Sequence, residues 1–268
     1  MTAAARPPGE ADPDRGWYVY GVVPAAEAPA DLFDGIGGVG GAPVKLVAAG
    51  QLAAIATQVP LADFGEDAIA ENLRDPAWLE SRVRGHDAVL EATVGAAPVV
   101  PFRFGTIYRG EDEVRAMLSE HERLRDAIER VRGRVELGVK AFLAAAASEA
   151  EPDSGENAIS AGRRYLEEKQ RARRLAEERE LQRARWADES HARLAAVAEA
   201  ATANALQPPE ISGREEEMFL NGAYLVALER EQEFRAVLAE LETQLGPSGA
   251  RFELTGPWPP YNFVEDPA

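Results

Sequence analysis

From Ile159 to about Leu206 the chain keeps a helical pattern, with no internal proline and glycine only at 162, until Pro208-Pro209 ends it. Between 161 and 185 that stretch is mostly polar, with nine Arg/Lys and five Glu. A helix that is polar all round cannot serve as a core element of a small domain. The stretch therefore reads as an insertion that the rest of the fold must accommodate. At 1.5 Å per residue an unbroken helix over 159–206 would reach ~70 Å, and the alternative is a hairpin bent back on itself.

The segments around this arm alternate. VVPFRF at 99–104 reads as a strand, and a helix from Glu111 buries Val114, Met117, Leu118, Leu124, Ile128 and Val131 until Gly133 stops it. GRVELGVKAFL at 133–143 is the next strand, and 144–158 is an acidic linker. After the arm come a strand at Met218–Leu228, an amphipathic helix on Phe234, Val237, Leu238, Leu241 and Leu245, and a strand at Arg251–Thr255. Without the insertion this is βαββαβ, the ferredoxin-like order.

The first part gives a strand at Trp17–Val23, a loop, strands at Val44–Ala48 and Leu52–Val59, and a helix started by Asp75-Pro76, with Asp at the cap and Pro at the first position. It resembles a shortened version of the same pattern. The expected fold class is thus α+β with two domains. The N-terminal one, 17–96, is a small mixed α/β sheet domain. The C-terminal one, 97–268, is ferredoxin-like, interrupted by the linker 144–158 and the helical arm 159–206. Residues 1–16, rich in Pro, Ala and charge, read as a disordered tail.

Composition removes several function classes. The chain has no cysteine, so disulfides, thiolate catalysis, iron–sulfur clusters and cysteine-based zinc sites are excluded. A net charge of −17 argues against nucleic acid and anionic membranes as partners. No apolar run reaches the ~20 residues a transmembrane helix requires.

Gly35-x-Gly37-x-x-Gly40 matches the dinucleotide fingerprint as a string, but a strand follows it through Pro43 where a helix is needed, so a flexible loop is expected. His86, His121 and His191 each fall on or beside the apolar stripe of a helix, which is the pattern of partly buried, hydrogen-bonded histidines and not of metal ligands. No catalytic residue, metal or cofactor is expected.

Three groups are candidates for partner binding. Phe102, Arg103 and Phe104 lie at an expected domain junction, where core packing is the favoured role for the two phenylalanines. Trp258, Tyr261 and Phe263 stand among Pro257, Pro259 and Pro260 in a tail expected to run polyproline-like. Its Trp258 should pack in a groove beside the final sheet, against Phe102 or Phe104, or else dock on a partner. Arg171 and Arg174 represent the basic part of the arm.

Taken together, WYVYGVVP at 17–24, the histidine-bearing helix around His86, VVPFRFGTIY at 99–108, GRVELGVKAF at 133–142 and ELTGPWPPYNFV at 253–264 resemble the GvpL/GvpF family of gas vesicle proteins. The resemblance covers roughly 17–264 and leaves the F-type and L-type members undistinguished. It implies a non-enzymatic accessory protein required to build gas vesicles, present in the cytoplasm during assembly and at the vesicle. The implied partners are the small hydrophobic shell protein, whose aggregation it would limit, and other accessory proteins. The rival readings are a scaffold that binds an acidic partner through the Arg-rich helix and a small-molecule enzyme of α+β class.

Overall fold

The computed structural model describes residues 12–29, 31–120, 122–143, 158–208 and 216–264. The linker 144–157, His121 and most of the N-terminal tail lie outside the described residues. The chain forms two compact units, one of residues 1–136 with 257–268 and one of 137–256. Residues 97–136, grouped by the sequence pattern with the C-terminal domain, belong to the first unit.

In the first unit, β1 (Arg15–Pro24), β2 (Lys45–Ala49), β3 (Leu52–Pro60) and β4 (Val100–Pro101) form an antiparallel sheet in the order β2-β3-β1-β4, and β5 (Ile107–Tyr108) also pairs with β1. Strand β1 is central and nearly every residue in it is buried. Strict alternation would place Trp17, Val19, Gly21 and Val23 on one face. The register instead shifts between Val19 and Gly21, so Trp17, Val19 and Val22 share one core while Tyr18, Tyr20 and Val23 share the other.

Each face is covered by helices. After the short α1 (Leu61–Phe64) and α2 (Glu66–Asn72), α3 (Pro76–Glu91) begins with Asp75 accepting a hydrogen bond from the Ala77 N–H at 3.0 Å, and it packs Val89 and Leu90 on the tyrosine face. The opposite face takes α4 (Glu111–Glu120) and α5 (Glu122–Val131) through Val114, Met117, Leu118, Leu124 and Ile128.

The second unit contains most of β6 (Arg134–Leu143), then α6 (Ala158–Ala195), β7 (Ala200–Ala203), β8 (Glu217–Ala227), α7 (Glu231–Leu245) and most of β9 (Ala250–Trp258). The sheet order is β7-β8-β6-β9. Ranked by position along the chain, both sheets read second, third, first, fourth. A loop over 25–44 joins the first two strands in the first unit, and α6 joins them in the second.

Three expectations change. The 99–104 segment joins the first sheet, because Val100 and Pro101 pair with Val22 and Gly21 and the Phe102 N–H donates to the Tyr20 carbonyl at 2.8 Å. The βαββαβ order therefore begins at β6, with α6 as its own first helix and not an insertion. The arm is a single helix that ends at Ala195, and 200–203 is a strand. Alanine's high helix propensity made AATA read as helix. Pairing of Ala200–Ala203 with Leu225, Tyr224, Ala223 and Gly222 of β8 overrides it. Finally, the tail is not polyproline-like from Gly256, since β9 continues through Pro257 to Trp258 as an edge strand, where a missing N–H is tolerated.

Candidate functional site

The tyrosine face of the first sheet holds the most elaborate polar network of the first unit. Alternation in β1 sends Tyr18 and Tyr20 to the same face, and the helical period of α3 turns His86 toward them together with Val89 and Leu90. His86 is 2 % exposed. Its Nδ1 lies 2.9 Å from the Tyr18 hydroxyl and its Nε2 lies 2.8 Å from the Tyr261 hydroxyl. The rings of Tyr18, Tyr20 and Phe104 surround the imidazole with centroids 5.6–5.8 Å away.

Satisfying every group fixes the protons. The Gly105 N–H donates to the Tyr18 oxygen at 3.1 Å, so the Tyr18 O–H donates to Nδ1. The Nε2–H then donates to the Tyr261 oxygen. Gly105 holds a φ of +88°, a conformation that favours glycine. Tyr20 is fixed in the same manner. Its hydroxyl accepts the Val39 N–H at 2.7 Å, and a Cβ on Gly38 would sit 2.3 Å from that oxygen. The glycine-rich 35–41 segment is thus a loop packed on Tyr20, with Val39 buried, where the sequence suggested a flexible one.

Burial pushes the His86 imidazolium down to about 4, so the ring is neutral at ordinary pH. Burial also raises the phenols of Tyr18 and Tyr261. A neutral imidazole with both nitrogens engaged by phenols fastens segments together and has no free position for a substrate or a metal. No group of three or more His, Asp or Glu able to hold a metal ion occurs among the described residues.

The tail is fastened at two further points. The Asn262 backbone N–H and side-chain amide donate to the two carboxylate oxygens of Glu136 at 2.9 and 2.6 Å. Burial raises the Glu136 carboxyl, and these two hydrogen bonds pull the other way. The Phe263 carbonyl accepts from Arg130 at 3.5 Å.

The partner-binding candidates separate. Phe102 is fully buried in the core of the opposite sheet face. Phe104 is half-buried against Tyr18 and His86, and Arg103 between them is exposed. Trp258 is 41 % exposed, so the ring expected to fill a groove does not, and it stacks on neither Phe102 nor Phe104. Tyr261 instead makes the buried contact, through its hydroxyl. Phe263 is half-buried, and Arg171 and Arg174 lie on the part of α6 where residues 166–182 are all exposed. Of the three histidines, only the core role was expected. The bridging role of His86 was missed, although Tyr18 and Tyr20 two residues apart in an apolar strand were a signal that one sheet face carries hydroxyls needing partners.

Residues 16–265 match the family described as gas vesicle synthesis protein GvpL/GvpF. The chain belongs to the GvpL/GvpF family. Gas vesicle protein L of Streptomyces sp. (strain CB03234) is 38% identical over 94% of this chain and 93% of its own length. Gas vesicle protein F of the same strain is 29% identical over 92% and 99%. The fold is that of the crystal structure of GvpF from Anabaena sp. PCC7120, with a TM-score of 0.62 at 19% identity, covering 94% of this chain and 96% of that one. GvpF from Microcystis aeruginosa gives a TM-score of 0.61. All five segments that carry the family resemblance supply the network. Tyr18 and Tyr20 come from WYVYGVVP, His86 from the helix, Phe104 and Gly105 from PFRFGT, Glu136 from GRVELG, and Tyr261 and Asn262 from PPYNF.

Proposed function

We propose that this protein is a non-enzymatic accessory factor of gas vesicle formation that binds the small hydrophobic shell protein and limits its aggregation during assembly. The observation that carries this reading is the family match across nearly the whole chain, and the gas vesicle role named for its relatives. The state of His86 supports the non-enzymatic part, since a sealed, neutral imidazole offers neither acid nor base to a substrate. The net charge of −17 would keep a complex with an apolar subunit in solution. It also disfavours nucleic acid as a partner, and no described helix is long and apolar enough to cross a membrane. Other gas vesicle proteins are the remaining proposed partners, and the proposed location is the vesicle, reached from the cytoplasm.

The higher identity to protein L than to protein F of one Streptomyces strain favours an L-type member. We read both units as variants of the ferredoxin-like arrangement, on the strength of the strand order that the two sheets share. The test is co-expression with the shell protein. Soluble shell protein should rise and co-purify with this chain. An unchanged insoluble fraction with no co-purification would overturn the reading.

A further inference from the structure

The latched tail borders a cavity of about 240 Å³ lined by Asp87, Leu90, Glu91, Glu136, Trp258, Pro259, Tyr261 and Asn262, all in the first unit. Two observations set it apart from ordinary acidic surface. First, its walls include two aromatic side chains, Trp258 at 41 % and Tyr261 at 39 % exposure, whose backbones are fixed by the buried Pro259 and Pro260 and by the Asn262–Glu136 hydrogen bonds. Rings held this way cost little entropy on binding. Second, among the described residues no cation pairs with its carboxylates. Asp87 and Glu91 are like charges one helical turn apart on α3, an arrangement that destabilises a helix. Neither they nor Glu136 takes part in any ion pair among the described residues. Burial and the charge of Glu91 both push the Asp87 carboxyl up, and the charges of Asp87 and Glu136 add to the burial that raises the Tyr261 phenol.

We propose that this cleft receives an arginine side chain from a partner protein, the guanidinium lying against Trp258 and Tyr261 and bonding to Asp87 and Glu91. Arginine fits better than lysine. Its planar fork stacks on aromatic faces and engages a carboxylate through two parallel hydrogen bonds, whereas an ammonium acts as a compact, strongly hydrated point charge. The inference does not depend on the identity of the partner as shell protein.

The test titrates the purified chain with a tetra-arginine peptide and, separately, a tetra-lysine peptide by calorimetry in moderate salt. The arginine peptide should bind several-fold more tightly. The double substitution Asp87→Asn/Glu91→Gln should weaken it at least tenfold while melting at the same or a higher temperature, because it removes a repulsion. Trp258→Ala, on an exposed ring, should keep the fold and weaken binding several-fold. Glu177→Gln/Glu178→Gln on the solvated part of α6 removes the same charge and should change nothing. Equal loss in both double variants, equal affinity for both peptides, or no binding would overturn the proposal. So would self-association of the chain alone that Asp87→Asn/Glu91→Gln abolishes, since the occupant would then be a second copy.

Discussion

Each unit sets a helix histidine against a tyrosine of its sheet, and the two pairs have the same length. His86 Nδ1 meets the Tyr18 hydroxyl at 2.9 Å in the first unit, and His191 Nδ1 meets the Tyr224 hydroxyl at 2.9 Å in the second. Both tyrosines are fully buried. The difference lies on the other side of the ring. Tyr261 closes Nε2 of His86, and Phe104 and Tyr20 complete its enclosure, whereas His191 stays half-exposed. A histidine on a helix thus satisfies a buried phenol in both units, but only in the first does it also hold a remote piece of chain. The pair by itself is a packing device, and the C-terminal tail converts it into a latch.

The largest effect expected from breaking this contrast is that of His86→Ala. It opens a cavity and leaves the Tyr18 hydroxyl without its acceptor, for a loss of about 3–5 kcal/mol. Urea unfolding should report it, and His191→Ala should cost less than half as much. Equal losses would show that the tail adds nothing.

Acid should act next. A histidine held down to about 4 in the folded state and near 6.5 when unfolded takes up more protons on unfolding. Stability from this group is complete above pH 6.5 and is lost as pH falls toward 4. Between pH 7 and pH 5 the loss should be about 2 kcal/mol. Asp87 and Glu136, whose carboxyls burial raises, act with the opposite sign in the carboxylate range. His86→Gln should flatten the slope measured between pH 5 and 6.5, and a slope identical to that of the parent would remove His86 as its source.

Tyr261→Phe keeps the ring and deletes the oxygen that accepts the hydrogen bond from the buried His86 Nε2–H, for about 1–2 kcal/mol. Hydrogen exchange should show the amides of 261–263 opening faster while those of β3 keep their protection. The smallest effect should come from α6. Deleting 165–182, about five whole turns, preserves the helical phase of the remainder. Since 166–182 are exposed throughout, stability should change by less than about 0.5 kcal/mol. Loss of cooperative unfolding would show that the solvated turns support the second unit.

Local signals carried much of the fold. The dense aromatic and β-branched run at 17–23, the Asp75-Pro76 start of α3 and the apolar stripe of α7 each form the element that they encode. In each case the segment's own pattern and its environment agree. The readings failed where a short segment could pair in more than one place. Nothing local in VVPF says which sheet it joins, and AATA is a good helix former that becomes an edge strand only because β8 offers it a ladder. Trp258 and Tyr261 illustrate the same limit for the site. Both are aromatic residues among prolines, and sequence could not tell which one turns inward.

By itself, then, the sequence determined the α+β class, the family, the acidic character and the near-complete element list, because these depend on composition and short-range periodicity. The tertiary structure alone decided that α6 is the first helix of the second sheet's own βαββαβ unit, that the shifted register in β1 turns Val22 to the face of Trp17 and Val19 and Val23 to the face of the tyrosines, and that a residue 175 positions away completes the His86 network. Those are relations between segments distant along the chain. They are set by which backbone groups find partners and which hydroxyls are left to satisfy once the sheets have closed.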